Sequence, residues 1–239
     1  MEHALSFLGL VLIIPVTLFV WRAGAHLHKH ESKYYIAVGF FALITGVYAI
    51  ILQVTSLDFK AEYPIWYALL YQGHLTFPFF VLVMFAGALK AKSKPKIMLM
   101  KVRRELAILG FLFLIPHAIY LVWLALTNYN PTGTLAFLVM LPLFITSFTQ
   151  IRKKMHPTTW RKLHKWAYVA YALIYLHVAS ITLIFNIRWF QAGDIGTTGY
   201  ALGFVRFALY TIIFAVYTVL KVQNRKRPTP PKQAKPAKA

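Results

Sequence analysis

The stretch RRELAILGFLFLIPHAIYLVWL, residues 103–124, decides the fold class of this chain. Two arginines and a glutamate precede an almost continuous apolar run, in which His117 is the one strongly polar side chain. A helix needs roughly 20 apolar residues to cross the hydrocarbon core of a bilayer, so the run predicts a membrane-spanning helix. An imidazole in hydrocarbon is costly and usually marks a cofactor, proton or ion site. The stretch therefore predicts a membrane protein with a functional group at membrane depth.

The whole chain has the composition of a membrane protein. Its 239 residues are 59% hydrophobic and 13% charged, whereas soluble domains contain about 25% charged residues. Seven segments approach or meet the spanning length: Leu5–Trp21, Tyr34–Thr55, Ile65–Leu89, Leu106–Thr127, Thr134–Gln150, Trp166–Ile187 and Tyr200–Leu220. None alternates apolar and polar residues as barrel strands do. We expect an all-α integral membrane protein with a bundle of about seven transmembrane helices.

The basic residues predict how this bundle is oriented. The segments after the first, third and fifth spans, together with the C-terminal tail, hold 23 of the 26 lysines and arginines. The positive-inside rule places these segments in the cytoplasm and the N-terminus outside. The net charge of +20 is then a consequence of topology and of attraction to anionic membrane lipid. We expect a multi-pass protein of the plasma or inner membrane, with no nucleic-acid partner.

The absence of cysteine limits the redox chemistry. Without cysteine the chain has no thiolate-ligated iron–sulfur cluster, no covalent c-type haem and no disulfide. It also lacks a glycine-rich phosphate-binding fingerprint, so a nucleotide would be handled by another protein. A redox cofactor held by this chain would be a non-covalent haem, a flavin or a quinone.

Two histidines lie at similar predicted depth on helices of the same direction. His117 is 13 residues after Arg104, and His177 is 12 residues after Lys165. Each is therefore roughly 18–20 Å from its cytoplasmic end. Two neutral imidazoles that face each other are natural axial ligands of haem iron. Pro116 would kink the helix and open room for a porphyrin. We predict that His117 and His177 ligate an outer haem.

Further candidates surround this pair. His164 lies about 19 Å below His177 and would serve an inner haem, although thirteen residues leave the two off a common helix face. His74 is a candidate axial ligand or a group beside one, with ordinary packing as the alternative. Arg206 lies inside an apolar run and must pair there. A haem propionate would satisfy it, and a backbone carbonyl or Asp194 is the alternative.

The histidines at 26, 28 and 30 form a separate cluster. His26 and His30 are one helical turn apart and could bind a metal ion. Glu31 is the only carboxylate nearby in the sequence. A basic interfacial loop is therefore the simpler interpretation.

From Arg103 to His177 the chain resembles the ferric-reductase-like transmembrane domain, nearest the haem-binding membrane subunit of the periplasmic methionine sulfoxide reductase system. The resembling pieces are 103–124, ITSF (145–148), WRKLHKWAY (160–168) and LH (176–177). Weaker likeness extends over about 34–222 and includes YQGHL (71–75).

The resemblance implies sites and partners. In that family the histidines matching His117, His164 and His177 bind b-type haem, which would give one or two haems here. The chain would then carry electrons from a cytosolic flavin donor or flavin reductase to an extracytoplasmic redox acceptor, either a protein or a small molecule. FMN or FAD at the cytoplasmic side is a further expectation.

The resemblance also divides the chain. Residues 1–33 would be an extra N-terminal transmembrane helix and a basic loop, 34–222 a six-helix haem-binding core, and 223–239 a disordered basic cytoplasmic tail. Oxidase and eukaryotic ferric-reductase relatives carry two histidines on the helix that matches Leu106–Thr127, where this chain has only His117. Their cytosolic flavin and nicotinamide domains have no counterpart here.

Two other functions remain open from the sequence. One is a quinol-oxidising cytochrome b subunit of a membrane dehydrogenase. The other is a transporter without a cofactor, which would use the same histidines for protons or substrate. We expect the six carboxylates to fall in loops or at helix ends, which disfavours ion-coupled transport.

Overall fold

In the computed structural model the described residues, 2–55, 58–127, 131–191 and 198–225, are almost entirely helical and contain no β-strand. The all-α prediction is confirmed for these ranges. Eight helices form the framework: α1 (Ile13–Lys29), α2 (Glu31–Thr55), α3 (Pro64–Tyr71), α4 (Phe77–Ala86), α5 (Lys94–Thr127), α6 (Pro131–Ile145), α7 (Ala167–Gln191) and α8 (Thr198–Arg225). Shorter helical segments cover Glu2–Leu5, Leu8–Val11, Phe59–Glu62, Thr149–Arg152, Pro157–Leu163 and the 3-10 segment His164–Trp166. Asp194 and most of the predicted tail lie outside the described residues.

Among the described residues, five segments are long and apolar enough to cross a membrane: Leu8–Lys29, Glu31–Thr55, Lys94–Leu121, Pro157–Ile184 and Thr198–Asn224. The chain is thus a multi-pass membrane protein. Two apolar helices are shorter: α4 with 10 residues lies within the predicted third span, and α6 with 15 residues overlaps the predicted fifth span but begins before it. The count of seven spanning helices and the orientation of the termini remain predictions.

The predicted third span is divided by a turn at residues 72–76. Gly73 has a φ of +74°, which residues with a side chain rarely adopt. Pro78 has no N–H and cannot bond to the carbonyl of His74. The chain therefore leaves α3 at Tyr71 and begins α4 at Phe77, and an irregular turn lies within a segment that the sequence predicted to be one helix.

Helix α5 is the centre of the bundle and contacts α1, α2, α3, α4 and α6. It begins at Lys94, well before the predicted start of the apolar span at Leu106. The added turns remain helical because their apolar side chains Leu99 and Val102 are buried in a cluster with Leu27 of α1. Glu105 consequently lies inside a helix, and the expectation that every carboxylate falls in a loop or at a helix end is wrong for this residue.

Close approach of α4 and α5 depends on a small residue. A Cβ atom on Gly110 of α5 would lie 2.9 Å from the Cβ of Phe79 on α4. The buried Thr76 hydroxyl also donates a hydrogen bond to the Gly110 carbonyl. Small residues of this kind let helix backbones approach in membranes, where no hydrophobic force drives association.

The C-terminal end of α4 is closed by polar side chains from α8. Lys221 Nζ donates to the carbonyl of Gly87 at 3.0 Å, and Asn224 Nδ2 donates to that of Ala88 at 2.7 Å. These carbonyls have no partner within their own helix. Cations at a helix C-terminus are also electrostatically favourable, so α8 is held to α4 at this end.

We predict that Gly110→Ala destabilises the protein. The added methyl group would force α4 and α5 apart, and overpacking of this kind costs about 1–3 kcal/mol. Thermal unfolding in detergent micelles, followed by circular dichroism, should show a lower midpoint for the variant. Gly39→Ala is the matched control, because no heavy atom lies within 4 Å of its added Cβ. Equal midpoints for the two variants would contradict the close contact.

Candidate functional site

The imidazole rings of His117 and His177 lie next to each other within the bundle. Their centres are 6.3 Å apart, and the ring planes are inclined by 75°. His117 belongs to α5 and His177 to α7, and α6 contacts both helices. Residues 60 positions apart in the chain are thereby brought to one place.

The position of the His117 ring is fixed by the end of α3. Its Nδ1 lies 2.8 Å from the carbonyl oxygen of Tyr71, the last residue of that helix. A carbonyl only accepts, so Nδ1 carries the proton and Nε2 of the neutral ring keeps a free lone pair. Tyr71 is itself held by stacking on Tyr120, with ring centres 4.7 Å apart, and by donation from its hydroxyl to the Thr45 carbonyl at 3.2 Å.

Each imidazole packs against a glycine. A Cβ on Gly133 of α6 would lie 2.6 Å from Cε1 and 2.7 Å from Nδ1 of His177. That is far inside ordinary van der Waals distance. A Cβ on Gly73 would lie 3.4 Å from Cε1 of His117, at a backbone conformation that already requires glycine. Because glycine has no side chain, the two imidazole rings can occupy the space beside Gly133 and Gly73.

His177 has a buried nitrogen without a hydrogen-bond partner in the described part of the chain. Its Nδ1 makes no hydrogen bond to any described residue. Buried polar atoms are nearly always paired, and each exception requires an explanation. A ligand that binds this ring, or accepts a hydrogen bond from it, would explain the unsatisfied nitrogen.

Two more unsatisfied nitrogens lie in the same part of the bundle. Nε2 of His74 and Nε of Arg206 are buried and without a hydrogen-bond partner among the described residues. His74 interacts electrostatically with both Arg206 and His117. Donor atoms left free at membrane depth are costly. The region therefore suits a ligand with anionic or acceptor groups.

His164 is in a different situation. Its Nε2 lies 3.1 Å from the Thr146 hydroxyl oxygen. That hydroxyl donates its own proton to the Pro142 carbonyl at 2.7 Å, so it accepts from His164 and Nε2 of this ring is protonated. Trp160 packs on the ring at 4.2 Å between centres and donates to the Thr146 carbonyl at 3.1 Å. His164 is thus held by side chains, apart from the His117 and His177 pair.

The separation of the His117 and His177 ring centres matches that of two imidazoles bound to opposite sides of one metal atom. Imidazoles that bind opposite sides of one metal at about 2.0–2.1 Å have ring centres roughly 6–6.5 Å apart, and the observed separation is 6.3 Å. Both rings are nitrogen donors in apolar helices. This donor set and this ring separation are compatible with the axial ligation of haem iron.

Several residues that shape this region are not evident from the sequence. Tyr71 and Gly133 act through contacts with residues far away in the chain, which no local pattern reveals. Asn186 was visible as a polar residue in an apolar helix. It is 4% exposed, its Nδ2 has no partner among the described residues, and it lines a cleft of about 140 Å³ between α7 and α8.

Part of this region is similar to a known protein family. Residues 72–175 match the model of the ferric reductase like transmembrane component. The match begins at the turn after α3, includes His74, His117 and His164, and ends two residues before His177. An uncharacterized protein from Treponema pallidum (strain Nichols) is 30% identical over 158 residues, which are 60% of this chain and 41% of that protein. The chain thus spans less than half the length of this relative.

No solved structure matches the chain significantly. The family match and the five apolar helices agree on the class of protein. Residues 72–175 of this multi-pass membrane protein are therefore similar to the ferric reductase like transmembrane component, a likeness that points to transmembrane electron transfer.

Proposed function

We propose that this protein is a b-type haem electron carrier of the membrane, and that His117 and His177 are the axial ligands of its haem. The observation that carries the proposal is the juxtaposition of the two rings, 6.3 Å apart, on two separate apolar helices. The electron donor would be a cytosolic flavin or flavin reductase, and the acceptor would be an extracytoplasmic protein or small molecule.

The haem would supply one-electron redox chemistry, and the protein would bind and orient it. The Tyr71 carbonyl holds the proton of His117 on Nδ1, which directs the Nε2 lone pair away from α3. Such a second partner fixes the ring and raises the basicity of the ligand. Gly133 lets α6 pass directly beside the His177 ring. Surrounding apolar side chains would exclude water and lower the local dielectric constant.

Arg206 and His74 are proposed to meet the polar edge of the haem. Nε of Arg206, which has no partner among the described residues, would donate to a propionate, and this pairing would remove the cost of a guanidinium at membrane depth. His74 would lie beside this group, since it interacts electrostatically with Arg206. In this proposal His74 is a neighbour of the site, and the two axial positions belong to His117 and His177.

The basic end of the bundle is proposed to receive electrons. His164 lies at this end, and it would have to release the Thr146 hydroxyl before Nε2 could bind iron. We therefore propose that it lies beside an inner redox centre, either a second haem or the FMN or FAD of the donor. The neighbouring Arg152, Arg161, Lys162 and Lys165 would attract a flavin phosphate or an acidic reductase.

We predict that the purified protein, supplied with a haem precursor during growth, shows the sharp absorption bands of a bis-histidine low-spin haem. His177→Ala should lose most of this absorption, and retained haem should bind roughly tenfold or more weakly. Added imidazole should restore low-spin bands in this variant by filling the emptied position. His164→Ala is the control and should keep the low-spin bands of the His117 and His177 site.

Two results of this experiment would contradict the proposal. Colourless wild-type protein would reject haem binding and leave the electron-transfer domain with another cofactor. Full low-spin absorption in both His117→Ala and His177→Ala would reject the ligand assignment alone. Circular dichroism on each variant separates loss of haem from loss of fold.

We also predict that Gly133→Ala disturbs the same site without removing a ligand. Its Cβ would lie 2.6 Å from Cε1 of His177, so the ring must rotate or shift. Haem affinity should fall, or the spectrum should gain a high-spin component, as measured by haem titration and absorption spectroscopy. Gly39→Ala, which adds its methyl group to open space, should behave like the wild type. An unchanged spectrum in Gly133→Ala would show that His177 is not held by this contact.

A further inference from the structure

Three helices bring a histidine and two carboxylates together at the basic end of the bundle. His28 comes from α1, Glu31 from the first turn of α2 and Glu105 from α5. Each offers one ligand atom, and these atoms all lie within 4.8 Å of one another. Glu105 is 77 residues from His28, so this group exists only in the folded chain.

Glu105 is the most constrained member. Its side chain is 1% exposed. Oε1 accepts from His28 Nδ1 and from Arg104, each at 2.8 Å, while Oε2 is buried and has no partner among the described residues. An ionised carboxylate with a free oxygen in such a place is unfavourable unless a cation or donor reaches it.

Among the described residues, Arg104 is the one permanently charged side chain that contacts these two carboxylates, and His28 adds positive charge only when it is protonated. One guanidinium, that of Arg104, contacts both Glu31 and Glu105. The same guanidinium donates to the Thr149 hydroxyl at 2.6 Å through its other nitrogen. The chain has six Asp and Glu residues in all, and two of them meet here around one guanidinium and one imidazole.

We propose that His28, Glu31 and Glu105 form a binding site for a divalent transition-metal ion, with Zn²⁺ as the representative. One imidazole nitrogen and two carboxylate oxygens are a common zinc ligand set, with water as the fourth ligand. The ion would neutralise both carboxylates and satisfy Oε2 of Glu105. Arg104 would keep its hydrogen bond to Thr149.

The site is accessible and would join parts of the fold. His28 has a side chain 47% exposed, so an ion can enter from the water at this end of the bundle. Bound metal would link α1 and α2 to the central helix α5. Since the unfolded chain has no such preformed site, binding would stabilise the folded state.

The test uses the full chain in detergent micelles, purified without a polyhistidine tag. We expect equilibrium dialysis against Zn²⁺ and elemental analysis to find one tightly bound ion per chain, and Co²⁺ to give visible ligand-field bands. Zn²⁺ should also raise the midpoint of thermal unfolding. His28→Ala and Glu105→Gln should each weaken binding by roughly tenfold or more.

His26→Ala is the matched control, because His26 lies on the same helix but bonds to the Tyr34 hydroxyl at 3.0 Å. It should bind Zn²⁺ like the wild type. Loss of binding in His26→Ala with retention in His28→Ala would assign the metal to the exposed His26 and His30 pair and overturn the proposal. No binding to the wild type would mean that the group is an ion-pair network only. His28→Ala replaces a partly exposed side chain, so its result does not depend on the tolerance of the buried Glu105 position.

Discussion

The hydrogen bond between the His117 imidazole and the Tyr71 carbonyl connects the interruption of one helix to the candidate site on another. A helix that ends inside a membrane leaves carbonyl groups that lipid cannot satisfy, so such breaks occur only where protein supplies partners. Here the partner is an imidazole, and the bond also fixes which of its nitrogens is free. The turn at residues 72–76, which contains Gly73, and the orientation of His117 therefore depend on each other. The aromatic stack of Tyr71 on Tyr120 keeps that carbonyl in position.

Glycines determine how closely the helices approach this site. Gly110 lets α4 lie against α5, and Gly133 lets α6 lie against the His177 ring. Glycine in a helix interior costs about 1 kcal/mol relative to alanine, and in a membrane this cost is offset by closer packing. The contrast with Gly39, which has open space around it, shows that position rather than composition gives these glycines their role.

Charge is separated along the bundle. At the basic end the two carboxylates of Glu31 and Glu105 meet Arg104 and His28, while Arg206 and His74, near the histidine pair, each have a nitrogen that no described residue satisfies. The first group has an excess of negative ligand atoms and suits a metal cation. The second has an excess of donors and suits an anionic ligand. These opposite requirements are consistent with two separate sites of different chemistry in one chain.

Local sequence was enough to place most of the helices and to single out His117 and His177 as candidates, because long apolar runs and polar residues within them are local patterns. It could not show the break at residues 72–76, since the run from Ile65 to Leu89 is apolar throughout much of its length. Nor could it show the bond of His164 to Thr146, the contact of Gly133 with His177 or the approach of Glu105 to His28. Those contacts join residues on different helices, and they exist only because packing around α5 brings distant segments together. Hydropathy thus determined which segments are helical and apolar, whereas the tertiary packing decided which nitrogen and oxygen atoms face one another.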